Sequence, residues 1–196
     1  ATVTDDAIYI TGKKGEKDVL TSFTQDGKKN WEVVYGDAPS EVAAPETRCT
    51  PTYYKGRLYC VSGKGEMTCV GREGKVVWSV NFFRKYEART PQFGISESPL
   101  VVDDKVIGTP GGKITSMVAF NTDNGAVVWE APSINEGTNY VNPLLVEQNG
   151  MKIIVTLTDG HIIGVNAVDG KMIWKFDYEA QNAERRDGRA HINTPI

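Results

Sequence analysis

The chain is poor in the residues that carry most metal and nucleophile chemistry: 196 residues hold two histidines and three cysteines. Cys49, Cys60 and Cys69 form no CxxC pair and no Cys/His cluster, which excludes a zinc site of ordinary spacing. Cys60 and Cys69 flank the loop Ser62–Thr68 and are expected almost opposite one another. A cross-strand disulfide, geometrically demanding, and two buried thiols both stay open there, with Cys49 unpaired in either case. No apolar run reaches the ~20 residues that span a bilayer. No signal-peptide pattern is present, and since Ala1 already lies inside the first repeat this leaves the compartment open. With a net charge of −3 neither sign dominates, so no bulk attraction to nucleic acid or membrane follows. No segment of ten or more residues has a convincing helical period.

What is present is a repeat. All four tryptophans follow a glycine by four positions: Gly27/Trp31, Gly74/Trp78, Gly125/Trp129 and Gly170/Trp174. The Trp-to-Trp steps of 47, 51 and 45 residues fit a four-stranded sheet with its turns, which is one propeller blade. Aligned on the tryptophans, the units open at Ala1, Pro51, Pro99 and Pro143, and a fifth opens at Pro195. Blades are expected over roughly 1–50, 51–98, 99–142 and 143–194. Within the third, strands are expected over Leu100–Val102, Lys105–Thr109, Ile114–Phe120 and Val127–Glu130. Asp-Gly and Asn-Gly pairs at 26–27, 124–125, 149–150, 159–160 and 169–170 supply the positive φ of tight hairpin turns. The fold class is all-β, built of four-stranded antiparallel blades. The indoles are expected between blades, each N–H reaching a neighbouring backbone carbonyl, with the glycine making the turn that aims it.

Function is expected on the long connections from each Trp strand to the next proline, which must emerge on one face. The residues just before each proline lead into an inner strand and so converge on the central channel. Arg48, Glu97, Tyr140, Asn142, His191 and Asn193 are the candidate ligand-binding residues. A cation, a carboxylate, amides and an imidazole could hold an anionic, planar or sugar-like ligand, or could pair with one another and with channel water. Arg84, Lys85 and Arg89, and again Arg185, Arg186 and Arg189, are diluted by Glu87, Glu184 and Asp187 and read as mixed-charge surface. Asp5-Asp6 and Asp103-Asp104 occupy equivalent positions and read as turns rather than metal ligands.

The blade endings are Asp26-Gly27-Lys28-Lys29-Asn30-Trp31, Glu73-Gly74-Lys75-Val76-Val77-Trp78, Asn124-Gly125-Ala126-Val127-Val128-Trp129 and Asp169-Gly170-Lys171-Met172-Ile173-Trp174. With the Pro-led openings, they make the unit similar to the repeat of the pyrroloquinoline quinone (PQQ)-type β-propellers, along the whole chain. The resemblance implies an eight-bladed ring of which this chain is half, completed by a second copy, by a protein partner or by the missing half of a longer parent. It also implies a periplasmic or secreted setting. The family includes calcium- and quinone-dependent alcohol dehydrogenases and noncatalytic, BamB-like members. The dehydrogenases' adjacent Cys-Cys pair is missing here, and every Trp is committed to the repeat. Glu97 and Asn142 are the residues left to bind the family's calcium. The expectation is therefore a noncatalytic scaffold for protein interaction without a cofactor. A fragment of a PQQ- and calcium-dependent dehydrogenase, and a small-ligand or glycan binder, are the alternatives.

Overall fold

A computed structural model describes residues 1–40, 43, 46–178 and 180. The first sheet runs β1 (Thr2–Val3), β2 (Ile8–Lys14), β3 (Lys17–Phe23) and β4 (Lys29–Asp37). The second runs β5 (Thr52–Tyr54), β6 (Arg57–Val61), β7 (Glu66–Gly71) and β8 (Val76–Asn81). A single helical turn, α1 (Phe82–Lys85), follows it, its N-terminus capped by the Asn81 side chain on the Arg84 N–H. In the third blade β9 (Leu100–Val102) and β10 (Lys105–Gly108) lead to the short β11 (Gly111–Gly112), then to β12 (Val118–Asn121) and β13 (Val127–Glu130). The third strand of that blade is shorter than the sequence suggests. Gly111–Gly112 leave the sheet to pair with β14 (Glu136–Gly137), and Thr115 turns its hydroxyl onto the Met117 and Ala131 carbonyls. The fourth blade holds β15 (Leu144–Gln148), β16 (Met151–Leu157), β17 (His161–Asn166) and β18 (Met172–Asp177). Each four-stranded sheet is an antiparallel meander in chain order.

The spacing of four between glycine and tryptophan has a backbone cause. In every blade the pairing of the third and fourth strands shifts by one residue beside the Trp, leaving Asn30, Val77, Val128 and Ile173 unopposed. This repeated β-bulge turns the residue before the Trp outward and aims the indole at the next blade. Opposite each indole stands a small residue: Ser22, Cys69, Ala119 or Gly164. Cys69 is thus explained as a small apolar partner of Trp78.

The seat that receives the indole lies in the following blade. Trp31 packs on Gly74, Trp78 on Gly125 and Trp129 on Gly170, each so closely that an added Cβ would stand 2.6 or 2.7 Å from the ring. These glycines also sit at φ of +78°, +71° and +74°, so turn geometry and close approach both require them. Each indole N–H donates to a carbonyl in the same turn: Trp31 to Arg72 at 2.8 Å, Trp78 to Thr122 at 2.9 Å and Trp129 to Ala167 at 3.2 Å. The expected inter-blade role is present at three joints, and the glycine that matters most to each Trp belongs to its neighbour.

Hydrophobic packing follows the joints. One core joins the first three blades through Tyr9, Leu58, Tyr59, Trp78, Phe82 and Phe120. A second joins the third and fourth through Ile107, Met117, Trp129, Ile154 and Ile163. Thr2 and Thr52 donate their hydroxyls to the Pro51 and Pro99 carbonyls of the next inner strand, fixing the blades near the axis as well.

The thiols correct an expectation. Tyr59, not Cys60, stands opposite Cys69, while Cys60 stands opposite Thr68. Neighbouring residues of a strand face opposite sides of the sheet, so Cys60 and Cys69 cannot meet. All three cysteines are free and buried, and the Cys49 sulfur accepts the Val61 N–H at 3.2 Å beside Cys60.

Candidate functional site

The connections that follow β4, β8 and β13 gather on one face with the turns between the second and third strands. Two hydrogen-bonded sets link these connections. In the first, residues immediately before the prolines are linked blade to blade. The Thr50 N–H donates to Ser98 Oγ at 2.9 Å, and the Ser98 N–H to Asn142 Oδ1 at 2.7 Å. In the second, an Arg48 guanidinium N–H donates to the Phe93 carbonyl, and the Phe93 N–H to the Tyr140 hydroxyl at 3.1 Å. The Phe93 and Tyr140 rings lie 5.7 Å apart. Four of the six candidates are therefore placed: Arg48 with Tyr140 through Phe93, Asn142 with Ser98, and Glu97 apart from both. His191 and Asn193 lie outside the described residues.

Glu97 is not at the channel mouth. It is buried, with one carboxylate oxygen accepting the Thr109 N–H at 3.2 Å and hydroxyl at 2.5 Å. The other oxygen is buried without a partner. Burial pushes its pKa up to about 7, against the two Thr109 hydrogen bonds that favour the carboxylate. Cys49 occupies the same slot one blade earlier, with its sulfur on the equivalent Val61 N–H, and Val141 one blade later. The residue before each proline thus stays accessible while the residue two before it enters the core. Buried Cys49 and Val141 at the matching positions are the sequence signal that places Glu97 inside.

Three further features were not evident in the sequence. A groove of about 1150 Å³ opens between the end of β4 and the α1 loop, lined by Pro39, Phe83 and Pro91. Lys64, Arg84 and Arg89 balance Asp37, Glu66 and Glu87 along it. A buried knot sits beside it: Asp18 accepts the Gly63 N–H at 2.7 Å and the Thr47 hydroxyl, and burial raises its pKa. On the fourth blade Glu136 holds His161 Nδ1 at 2.6 Å, the Gly160 N–H at 3.0 Å and the Thr158 hydroxyl at 2.5 Å. Burial works to raise the Glu136 pKa, and these partners together bring it below the usual value.

The donors for calcium and quinone do not assemble among the described residues. Glu97 points into the Thr109 turn and Asn142 spends its oxygen on Ser98, so the two offer no shared coordination sphere. No group of three or more His, Cys, Asp or Glu side chains able to hold a metal ion occurs among those residues. Trp31, Trp78 and Trp129 are engaged with the next blade and cannot serve as a ring platform.

Four antiparallel four-stranded sheets, joined in order by indoles seated on glycine turns, define a segment of a β-propeller. The sequence profile of the family described as outer membrane protein assembly factor BamB matches residues 2–192, and the chain belongs to that family. Quinoprotein alcohol dehydrogenase PedH of Pseudomonas putida is 25% identical in an alignment of 148 residues that covers 71% of this chain and 23% of that protein. BamB of Moraxella catarrhalis has a similar structure at a TM-score of 0.59 and 17% identity, over 90% of this chain and 48% of that one. The quinohemoprotein alcohol dehydrogenase ADHIIG of Pseudomonas putida HK5 aligns at 0.63 and 17%, over 89% of this chain and 33% of that one. The WD40 domain of Neurospora crassa Pan2 aligns at 0.53 and 14%, over 89% and 47%. This chain therefore spans less than half the length of these relatives, and the solved structures establish the fold alone. No helix among the described residues is long and apolar enough to cross a membrane.

Proposed function

We propose that this chain is a noncatalytic propeller scaffold that binds a protein partner through its loop-bearing face in the bacterial cell envelope. The groove between β4 and α1 carries the reading: it is open and lined by three cations, three carboxylates, two prolines and a phenylalanine. Such a mixture suits a polypeptide segment, whose backbone and side chains present both signs and apolar patches, better than a small anion or a quinone. The polar residues at the channel mouth are engaged with one another and with backbone, which supports a positioning role for them. Membership of the BamB family supports the envelope setting and the interaction role.

The relative PedH favours a second reading, a segment of a quinone-dependent alcohol dehydrogenase, for which Asn142 and Arg48 are the candidate cofactor contacts and buried Glu97 is not. Two measurements separate the readings. Calorimetric titration with PQQ plus calcium is expected to give no saturable heat; saturable binding lost on Asn142→Ala would overturn the scaffold reading. A photo-crosslinking side chain placed at Lys64, in the groove, is expected to capture one defined envelope protein, whereas one placed at Lys152, outside it, captures none. Equal labelling from both positions would remove the groove as the binding surface.

A further inference from the structure

By count the charges lining the groove balance, but they are not equally available. Asp37 is paired from outside the groove by Lys17, and its own N–H donates to Glu66 Oε2 at 2.8 Å. The same Glu66 oxygen accepts the Ser62 hydroxyl at 3.2 Å, which ties that carboxylate to the groove wall. Lys64, Arg84 and Arg89 are exposed, and among the described residues no carboxylate lies within ion-pair distance of any of them. Asn81 fixes two of these cations beside one another: its Oδ1 accepts the Arg84 N–H at 2.8 Å and its Nδ2 donates to the Lys64 carbonyl at 3.3 Å. After α1 the Ala88 N–H donates to the Phe83 carbonyl at 2.8 Å, and the chain carries Arg89 to the same groove. The Ala43 N–H donates to the Gln92 carbonyl at 3.0 Å and so joins the two walls. Every described lining residue lies between Asp37 and Gln92, in the first two blades and their connections.

We propose that the occupant is an acidic peptide segment of a partner protein, with carboxylates set on Lys64, Arg84 and Arg89 and an apolar side chain against Phe83 and the two prolines. This rests on the reading of the groove as the polypeptide-binding surface and names the chemistry it selects. An arginine fork holds a carboxylate through two parallel N–H donors, and unpaired cations steer such a segment in from solvent. Glu87 lies between Arg84 and Arg89 in the chain and has no partner among the described residues. It repels a segment that is acidic throughout and tolerates one whose carboxylates are spaced. With Glu66 it also disfavours a nucleic acid, whose phosphates recur at every step and cannot skip a position. A single small anion leaves most of the 1150 Å³ and its apolar lining unused.

Selection from a phage-displayed library of random peptides of about twelve residues, on the whole chain immobilised at low salt, tests this. The selected peptides are expected to be enriched in Asp and Glu at spaced positions together with an apolar residue. As synthetic peptides read by fluorescence anisotropy, they should lose at least about tenfold in affinity to Arg84→Gln combined with Arg89→Gln. Lys75→Gln, at an exposed lysine of the β7–β8 turn outside the groove, should change nothing. All three side chains are exposed, so the variants keep the circular dichroism of the parent. Selected peptides that are neutral or basic, acidic peptides indifferent to the arginine substitutions, or displacement by a single-stranded DNA of the same length would each overturn the proposal. A library from which nothing is enriched would overturn it as well. Capture from Lys64 as against Lys152 decides separately whether the groove binds a polypeptide at all, so the proposal and the reading beneath it fail by different results.

Discussion

Gly125→Ala and Gly27→Ala change two glycines that differ in one respect. Both sit in the turn before a Trp strand, at φ +71° and +83°. An alanine there accepts a left-handed conformation at a cost of roughly 1–2 kcal/mol, partly offset by the ~0.4–1 kcal/mol it removes from the freedom of the unfolded chain. That part is common to both positions. At Gly125 the new Cβ would also stand 2.7 Å from the Trp78 ring, whereas at Gly27 it meets nothing within 4 Å. Trp78 cannot retreat freely, because its N–H is held by Thr122 and its ring lies 6.1 Å from that of Tyr59. Forcing such an overlap costs about 1–3 kcal/mol. Gly125→Ala should therefore be less stable than Gly27→Ala by about 1–3 kcal/mol. Urea unfolding followed by tryptophan fluorescence reads the difference as a shift in midpoint at unchanged slope. Equal losses would show that the glycines serve the turn alone and that the seat contributes nothing.

Two further outcomes follow from the buried groups. The Glu97 pKa lies above its unfolded value, so folding favours the protonated form: its contribution is full below about pH 4.5 and is lost as pH rises through about 7. The interval corresponds to about 3 kcal/mol, and Glu97→Gln should remove that part of the pH dependence of unfolding; an unchanged profile would contradict the burial of this carboxyl. The three cysteines should react with a thiol reagent only on unfolding, since all are buried and burial raises Cys60 and brings Cys69 to about 11. Three thiols titrated in denaturant without reductant is the expected count, and one would reveal a disulfide.

The sequence exposed the architecture because a physical necessity repeats in it. Gly27/Trp31, Gly74/Trp78, Gly125/Trp129 and Gly170/Trp174 mark the joint wherever a blade must bury a face, and the indole N–H contacts follow from the same need. The bulge at Asn30, Val77, Val128 and Ile173 was hidden, since strand register leaves no mark on one strand alone; it shows only when Trp78 is seen opposite Cys69 rather than displaced by one. The register of β6 against β7, equally unmarked in either strand alone, decides the thiols and places Tyr59 opposite Cys69. For the candidate site, the residues before the prolines include Tyr140 and Asn142, which the structure links to Phe93 and Ser98. Glu97 lies in the core although it is charged, because its slot is the one that buries Cys49 and Val141. The groove beside α1 joins residues more than forty positions apart, from Asp37 to Gln92, and no local pattern announces it.

The indole-to-glycine joint holds consecutive blades together, and a double-mutant cycle on Trp78 and Gly125 measures that joint directly. With the indole gone in Trp78→Ala, the added Cβ of Gly125→Ala meets no ring and should cost only the turn strain seen at Gly27. The predicted coupling is therefore about 1–3 kcal/mol. Additive losses, with no coupling between the two positions, would contradict the joint and with it the reading of the repeat.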